Sequence, residues 1–222
     1  LFAKLSIITY QIYYYKDHNP EITSLIKYKI KQAKKENKNY NYSFKYVPLK
    51  KISPTLKIAI ISSEDPNFFY HHGFDFQQIK ESFLIDLKHR KILRGASTIT
   101  MQLARTLFLN PEKTFRRKAA EAVITILIET ILPKERIFEL YLNYVELGNG
   151  IFGVEEASHY YFKRNNNQLT YSQILALTGA IASPGVTDPA HPNKWLMWKM
   201  RIINNKYKLL PKKTKDLIIK KY

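Results

Sequence analysis

Three short stretches hold the side chains able to do chemistry. Glu64 and Asp65 close an apolar run of Ile58, Ala59, Ile60 and Ile61, and are followed by Pro66, Phe68, Phe69, His71, His72, Gly73 and Asp75. A proline biases the residue before it away from helix, so the chain should turn at Asp65 and present Glu64 at a helix end, where a carboxylate can serve as a general base. The bland alternative is an acidic pair capping a turn beside surface histidines. In residues 94–109 a glycine precedes Ser97 and Thr98, followed by Gln102 and Arg105. On a helix starting there, Thr98, Gln102 and Arg105 fall at i, i+4 and i+7 and share a face, with Ile99, Leu103 and Leu107 leaning to another. Hydroxyls, an amide, a guanidinium and free N-terminal amides suit a phosphate-bearing ligand, although a capped helix carrying one exposed arginine shows the same pattern. The lysine-ended glycine loop of nucleotide-binding enzymes is missing, which argues against ATP or GTP. In the third stretch, Arg117 and Lys118 stand four and three positions before Glu121, so all three can point to one side, and the cations could receive an anionic leaving group. A solvated ion pair worth about 0.3–0.5 kcal/mol is the bland reading.

These groups need a scaffold, and the hydrophobic spacing predicts a mainly α one. Apolar residues recur at helical intervals from Pro48 onward, with turns at Ser53-Pro54, Asn110-Pro111, Leu132-Pro133, 148–153 and 183–192. Ser53-Pro54 fits an N-cap followed by proline at the first helical position, opening a helix over 56–62. Further helices are expected at 77–89, from Ser97 or Thr98 onward, and at 115–131, 134–145, 154–162, 171–182 and 194–208. Residues 21–35 look helical and basic. With 222 residues, 45% of them hydrophobic, the chain can bury a real core. Its net charge of +18 favours anionic partners such as nucleic acid, acidic lipid or pyrophosphate, unless the excess lysine merely covers solvated faces. The chain has no cysteine, so disulfides, a thiolate metal site and a thiol nucleophile are excluded.

Taken in order, the three stretches and a fourth resemble the glycosyltransferase domain of bacterial peptidoglycan polymerases, shared by monofunctional enzymes and class A penicillin-binding proteins. The first motif matches Glu64, Asp65, Phe68, His71, Gly73 and Asp75. The second matches Gly95, Ser97, Thr98, Ile99, Thr100, Gln102, Leu103, Ala104 and Arg105. The third matches Arg117, Lys118, Glu121 and Glu129. The fourth matches Glu139, Tyr141, Leu142, Asn143, Gly148, Gly150, Gly153, Val154, Ala157, Tyr161 and Phe162, and a looser fifth lies at 175–184. Met101, Thr106, Thr125 and Lys163-Arg164 depart from the usual residues of the family, Lys163 standing where glycine is expected.

The resemblance implies a lysozyme-like, two-lobed glycosyltransferase domain over 46–222 with a cleft between its lobes. It implies polymerisation of glycan strands: the 4-hydroxyl of a lipid-linked disaccharide-peptide (lipid II) attacks, with inversion, the anomeric carbon of a glycan on polyprenyl pyrophosphate. It makes Glu64 and Glu121 the catalytic pair, lying across one hollow, with Glu64 as base and Glu121 orienting the cations or a metal. Asp65, Phe68, His71, Ser97, Thr98, Gln102, Arg105, Arg117 and Lys118 become the substrate-binding set. A Mg2+ ion riding on the pyrophosphate is left open, and no organic cofactor is called for. The expected partners are lipid II, the growing strand, the membrane and other cell-wall synthases, with nucleic acid excluded.

Residues 1–15 would rise about 22 Å as a helix, short of a hydrocarbon core of roughly 30 Å. They are expected to be the end of a membrane helix with Tyr13, Tyr14 and Tyr15 at the interface, or else an amphipathic helix docked on the domain. Residues 16–45 then form a basic approach segment, and the enzyme sits on the outer face of the bacterial inner membrane, anchored by a single pass. The rival readings are a lysozyme-like glycan hydrolase and an inactive basic module binding membrane or nucleic acid.

Overall fold

The computed structural model describes residues 2–89, 97–112 and 114–222, and the chain folds mainly as α-helix, as the hydrophobic spacing predicts. Helix α1 (Phe2–Tyr14) and α2 (Ser24–Lys35) come first, then a short strand β1 (Ser43–Phe44). After a 3-10 turn at Leu49–Lys51 come α3 (Pro54–Glu64), α4 (Phe76–His89), α5 (Ile99–Phe108), α6 (Phe115–Ile131) and α7 (Lys134–Tyr144). A hairpin of β2 (Glu146–Gly148) and β3 (Ile151–Phe152) leads to α8 (Val154–Phe162), a second 3-10 turn (Asn166–Gln168), α9 (Tyr171–Ala180), α10 (Lys194–Leu209) and α11 (Lys212–Lys221). The stretch 148–153, expected as a plain turn, is this hairpin. β3 is the middle strand, antiparallel to β2 and parallel to β1, with Ser43 opposite Ile151. Strands of two or three residues carry no alternation long enough to read. Helix α11 is likewise absent from the expectations, because Lys-rich 212–221 has only a narrow apolar stripe.

Side-chain caps start most of the helices. The hydroxyls of Thr23, Ser53, Thr98, Thr114 and Thr170, and the Asn193 amide oxygen, each accept from a backbone N–H in the first turn of the helix that follows. Helix α3 is apolar on nearly every side and accordingly central, with every residue from Leu56 to Ser63 buried. It packs against α9, α10 and α11, while α5 packs against α6, α7 and α2. The one charge inside α3, Lys57, donates to the carbonyls of Leu49 and Tyr222, and burial lowers its ammonium pKa. The C-terminal helices hold the end of α3 as well: Lys206 Nζ donates to Ser63 O at 2.9 Å, the Tyr70 hydroxyl meets Thr214 Oγ1 at 3.0 Å, and Tyr222 stacks on Phe69 at 4.5 Å.

The N-terminal segment joins the same core. Ile8 and Ile12 of α1 are buried in it, and α1 packs on α6. Arg136 of α7 donates to Tyr15 O, His18 O and the Asn19 side chain, and the Tyr144 hydroxyl donates to Pro20 O. No helix among the described residues is long and apolar enough to cross a membrane.

Candidate active site

Glu64 is the last residue of α3, and Asp65 leaves the helix at φ −160° and ψ 77°, the turn that the following proline calls for. The Glu64 carboxylate is half-buried and held by neutral donors. Its Oε1 accepts from Ser63 Oγ at 3.0 Å and its Oε2 from Gln102 Nε2 at 3.2 Å. Gln102 is oriented in turn by the Tyr141 hydroxyl, which donates to its Oε1 at 3.0 Å. Tyr141 is buried, and its pKa is raised well above 10, first by burial and then by the charge of Glu64, with Arg105 pulling the other way. The phenol is therefore a fixed donor.

Asp65 faces inward. It accepts from His71 Nε2 at 2.9 Å and from the Ile99 backbone N–H at 3.0 Å, and it has no exposed surface. Phe68 is also fully buried, with its ring against Phe69 and Phe138 and Lys134 Nζ 4.4 Å from its centre. The Thr98 hydroxyl donates to Gly73 O at 2.6 Å and accepts from Met101 N, so Thr98 caps α5 instead of sharing an open face with Gln102 and Arg105. Ser97, half-buried, lies just before that cap. Gly95 lies outside the described residues. Asp65, Phe68, His71 and Thr98 are thus engaged in contacts within the protein.

Glu121 is fully buried on α6, and its two oxygens are divided between cations one turn earlier: Oε2 accepts from Arg117 Nη1 and Oε1 from Lys118 Nζ. Lys118 keeps about half of its side chain in solvent. Arg117 Nε–H is buried and has no acceptor among the described residues.

Contacts between the motifs bring the stretches together. Gly73, at φ +88°, runs so close to α6 that a Cβ there would stand 2.7 Å from Thr125 Cγ2, one turn beyond Glu121. Thr125 fits because its hydroxyl turns back to Glu121 O at 2.7 Å. Thr100 Oγ1 donates to Glu129 Oε1 at 2.5 Å, and Lys134 Nζ pairs with the same oxygen at 2.8 Å. Burial lowers the Lys134 pKa, against the pull of Glu129 and Asp65. Motif one therefore bonds to motif two through Asp65 and Thr98, motif two to motif three through Thr100, and motif four to the first pair through Tyr141.

A cavity of about 310 Å³ opens beside this junction, lined by Gln102, Arg105, Thr106, Tyr141, Lys29 and Glu146 among others. Lys29 reaches it from α2 and pairs with Glu146. Sequence reasoning gave Lys29 no part, since it lies over seventy residues from Arg105, and placed Tyr141 in the fourth motif without naming its partner. Among the described residues no group of three or more carboxylate or histidine side chains could hold a metal ion, and Glu121 already has both oxygens on cations.

The family model described as Transglycosylase matches residues 30–208. Among curated proteins, a biosynthetic peptidoglycan transglycosylase of Chromobacterium violaceum is 43% identical over 195 residues, covering 88% of this chain and 86% of the relative. Proteins of the same name are 40% identical in Paraburkholderia xenovorans, over 83% of this chain and 77% of theirs, and 36% identical in Nitrosospira multiformis, over 87% and 84%.

Proposed function

Because the chain belongs to the transglycosylase family, we propose that the junction of Glu64, Gln102 and Tyr141 is where it couples sugars. The protein is a peptidoglycan glycosyltransferase that polymerises glycan strands. The observation that carries the proposal is the Glu64 carboxylate, half-open at a helix end and bonded to Gln102, which itself lines a cavity together with Arg105.

The attacking group is the 4-hydroxyl of a lipid-linked disaccharide. Glu64 takes its proton as the oxygen bonds to the anomeric carbon of the growing strand from the face opposite the leaving group, which gives inversion. The C1–O bond breaks, and its electron pair leaves on the polyprenyl pyrophosphate. A positioned base contributes about 10²–10⁴-fold to such a step. The leaving pyrophosphate builds negative charge, for which Arg105, Arg117 and Lys118 are the candidate cationic partners. Glu121 holds Arg117 and Lys118 in place and has no exposed surface for proton transfer. A Mg2+ ion, where present, would ride on the pyrophosphate oxygens.

Peptidoglycan synthesis places the work at the cell envelope. Membrane contact is proposed through α1, whose outward face carries exposed Ile7, Tyr10, Tyr13 and Tyr14, with Val123 and Ile126 exposed on the α6 surface. A single-pass anchor with the enzyme on the outer face of the inner membrane is the arrangement we propose, and the exposed apolar side chains of α1 support the membrane contact alone.

The test is incubation of the detergent-solubilised protein with labelled lipid II, with and without Mg2+, reading product size on a gel. A ladder of glycan strands is expected. Release of sugars from finished cell wall with no consumption of lipid II would overturn the proposal in favour of a hydrolase.

A further inference from the structure

The cavity beside Gln102 carries three charged side chains, each from a different element: Arg105 from α5, Lys29 from α2 and Glu146 from β2. Lys29 lies one residue ahead of the stretch that the family model matches, so membership of the family assigns it no part. Helix α2 itself brings it there. The Thr23 hydroxyl caps the helix, Ile26 is fully buried, and the helix packs on α5. Leu25 and Lys29 stand four positions apart and so share the face that lines the cavity.

Glu146 is held from the other side. Its backbone opens β2 opposite Phe152 of β3, and its side chain is 10% exposed against 27% for Lys29. Lys29 Nζ donates to Glu146 Oε1 across 117 positions of sequence and lies 5.8 Å from the centre of the Tyr40 ring. Among the described residues the ion-pair partner of Glu146 is Lys29, and Arg105, which lines the same cavity, stays outside the pair. The pair sums to no net charge, so the positive charge left on the described wall is that of Arg105. A carboxylate so little exposed is unfavourable without a cation. With Lys29 gone, Glu146 would turn to Arg105 and would repel any anion brought beside it.

From this arrangement we infer that Lys29 is a positioning residue for the coupling reaction and acts through Glu146: by neutralising that carboxylate it keeps Arg105 available to the pyrophosphate of the lipid-linked substrate. The inference rests on the glycosyltransferase reading, with Arg105 as a partner of the pyrophosphate. Lys29 acts without touching the substrate, so its loss is repaired by also removing the charge it masks. A lysine that bound the phosphate directly would not be repaired in that way. Nor would a mere strap between α2 and β2, since the strap is lost in either case.

Three variants test this with labelled lipid II: Lys29→Met, Lys29→Arg, and Lys29→Met combined with Glu146→Gln. At limiting substrate, Lys29→Met is expected to lower coupling about tenfold, a modest loss because Lys29 is partly in solvent. Lys29→Arg, which keeps the pair, should recover most of that loss. The double exchange should return coupling to within a few-fold of wild type although the ion pair is gone. Inorganic pyrophosphate, titrated calorimetrically, should bind Lys29→Met several-fold more weakly than it binds the wild type or the double exchange. Undiminished coupling by Lys29→Met, or a double exchange as impaired as the single one, would overturn the inference and leave the glycosyltransferase reading intact. A wild-type protein that consumes no lipid II would overturn that reading instead, and the pyrophosphate titration, which needs no turnover, would still decide whether Lys29 keeps an anion site open.

Discussion

Glu64 and Glu121 are the same residue type in opposite surroundings. Glu64 ends its helix, half-open, and among the described residues receives bonds only from neutral groups, the Ser63 hydroxyl and the Gln102 amide. Glu121 lies inside its helix, closed to solvent, with an arginine and a lysine on its two oxygens. A base must be reachable and free to accept a proton, and a carboxylate held by two cations is neither. A cationic cluster that receives a leaving group must be fixed before charge develops, and a buried anion at its centre does that. The difference is the reason proton transfer is proposed for the first and charge positioning for the second.

The comparison breaks most visibly at Glu64. Glu64→Gln is expected to lower the rate of lipid II coupling by about 10²–10⁴-fold while leaving the thermal midpoint near wild type, because an amide can replace both neutral contacts. Product at near wild-type rate would remove Glu64 as base. The Glu121 side calls for a different pattern. Exchanging the whole cluster, Arg117→Met with Lys118→Met and Glu121→Met, should cost about 10²–10³-fold in rate with little loss of stability, since replacing all partners of a buried contact by apolar groups of similar shape is nearly neutral. Glu121→Gln alone should cost less rate, about 10–10²-fold through misplaced cations. It should cost more stability, about 1.5–3 kcal/mol for bonds to charged groups, towards the lower end because Lys118 is half in solvent. Calorimetry beside the coupling assay separates the two. Equal stability in the single and triple exchanges would mean that Glu121 does not hold the cluster.

Much of this contrast could be read before any coordinates. The proline after Asp65 forecast the turn that frees Glu64, and the i, i+3 and i+4 spacing forecast the cluster on α6, because both effects are local to a few residues. The partners of Glu64 and Asp65 could not be read. Gln102 is 38 residues from Glu64, and the Ile99 N–H is 34 from Asp65; helical spacing says which face a residue takes, but not which other helix that face meets. Thr98 was misplaced for a related reason: at i, i+4 and i+7 it shares a face with Gln102 and Arg105, yet as the N-cap its hydroxyl is already committed to the helix end and to Gly73. The departure at Lys163 shows the converse. The residue caps α8 at φ 56° and ψ 34°, a left-handed conformation in which glycine costs least, which gives the glycine expected there a backbone reason and lysine a small strain.

The mildest exchange, Tyr141→Phe, asks whether Glu64 depends on its neutral neighbours at all. Losing one hydroxyl removes the donor to Gln102 Oε1 and should cost about 0.5–1.5 kcal/mol of stability. Coupling should fall severalfold, because Gln102 is then free to turn away from Glu64. The tyrosine pKa is raised well above 10 in the folded protein by burial and then by Glu64, so across the working range the phenol keeps its proton and titrates in neither protein. The acidic and alkaline limbs of the rate profile should therefore fall at the same pH in wild type and variant. Above about pH 10 the unfolded phenol loses its proton while the folded one keeps it, so stability drops as pH rises. Denaturant titrations between pH 9 and 11 should give a shallower decline for Tyr141→Phe than for wild type. Parallel declines would place the hydroxyl in water and out of contact with Gln102, and Glu64 would then be aimed by the amide alone.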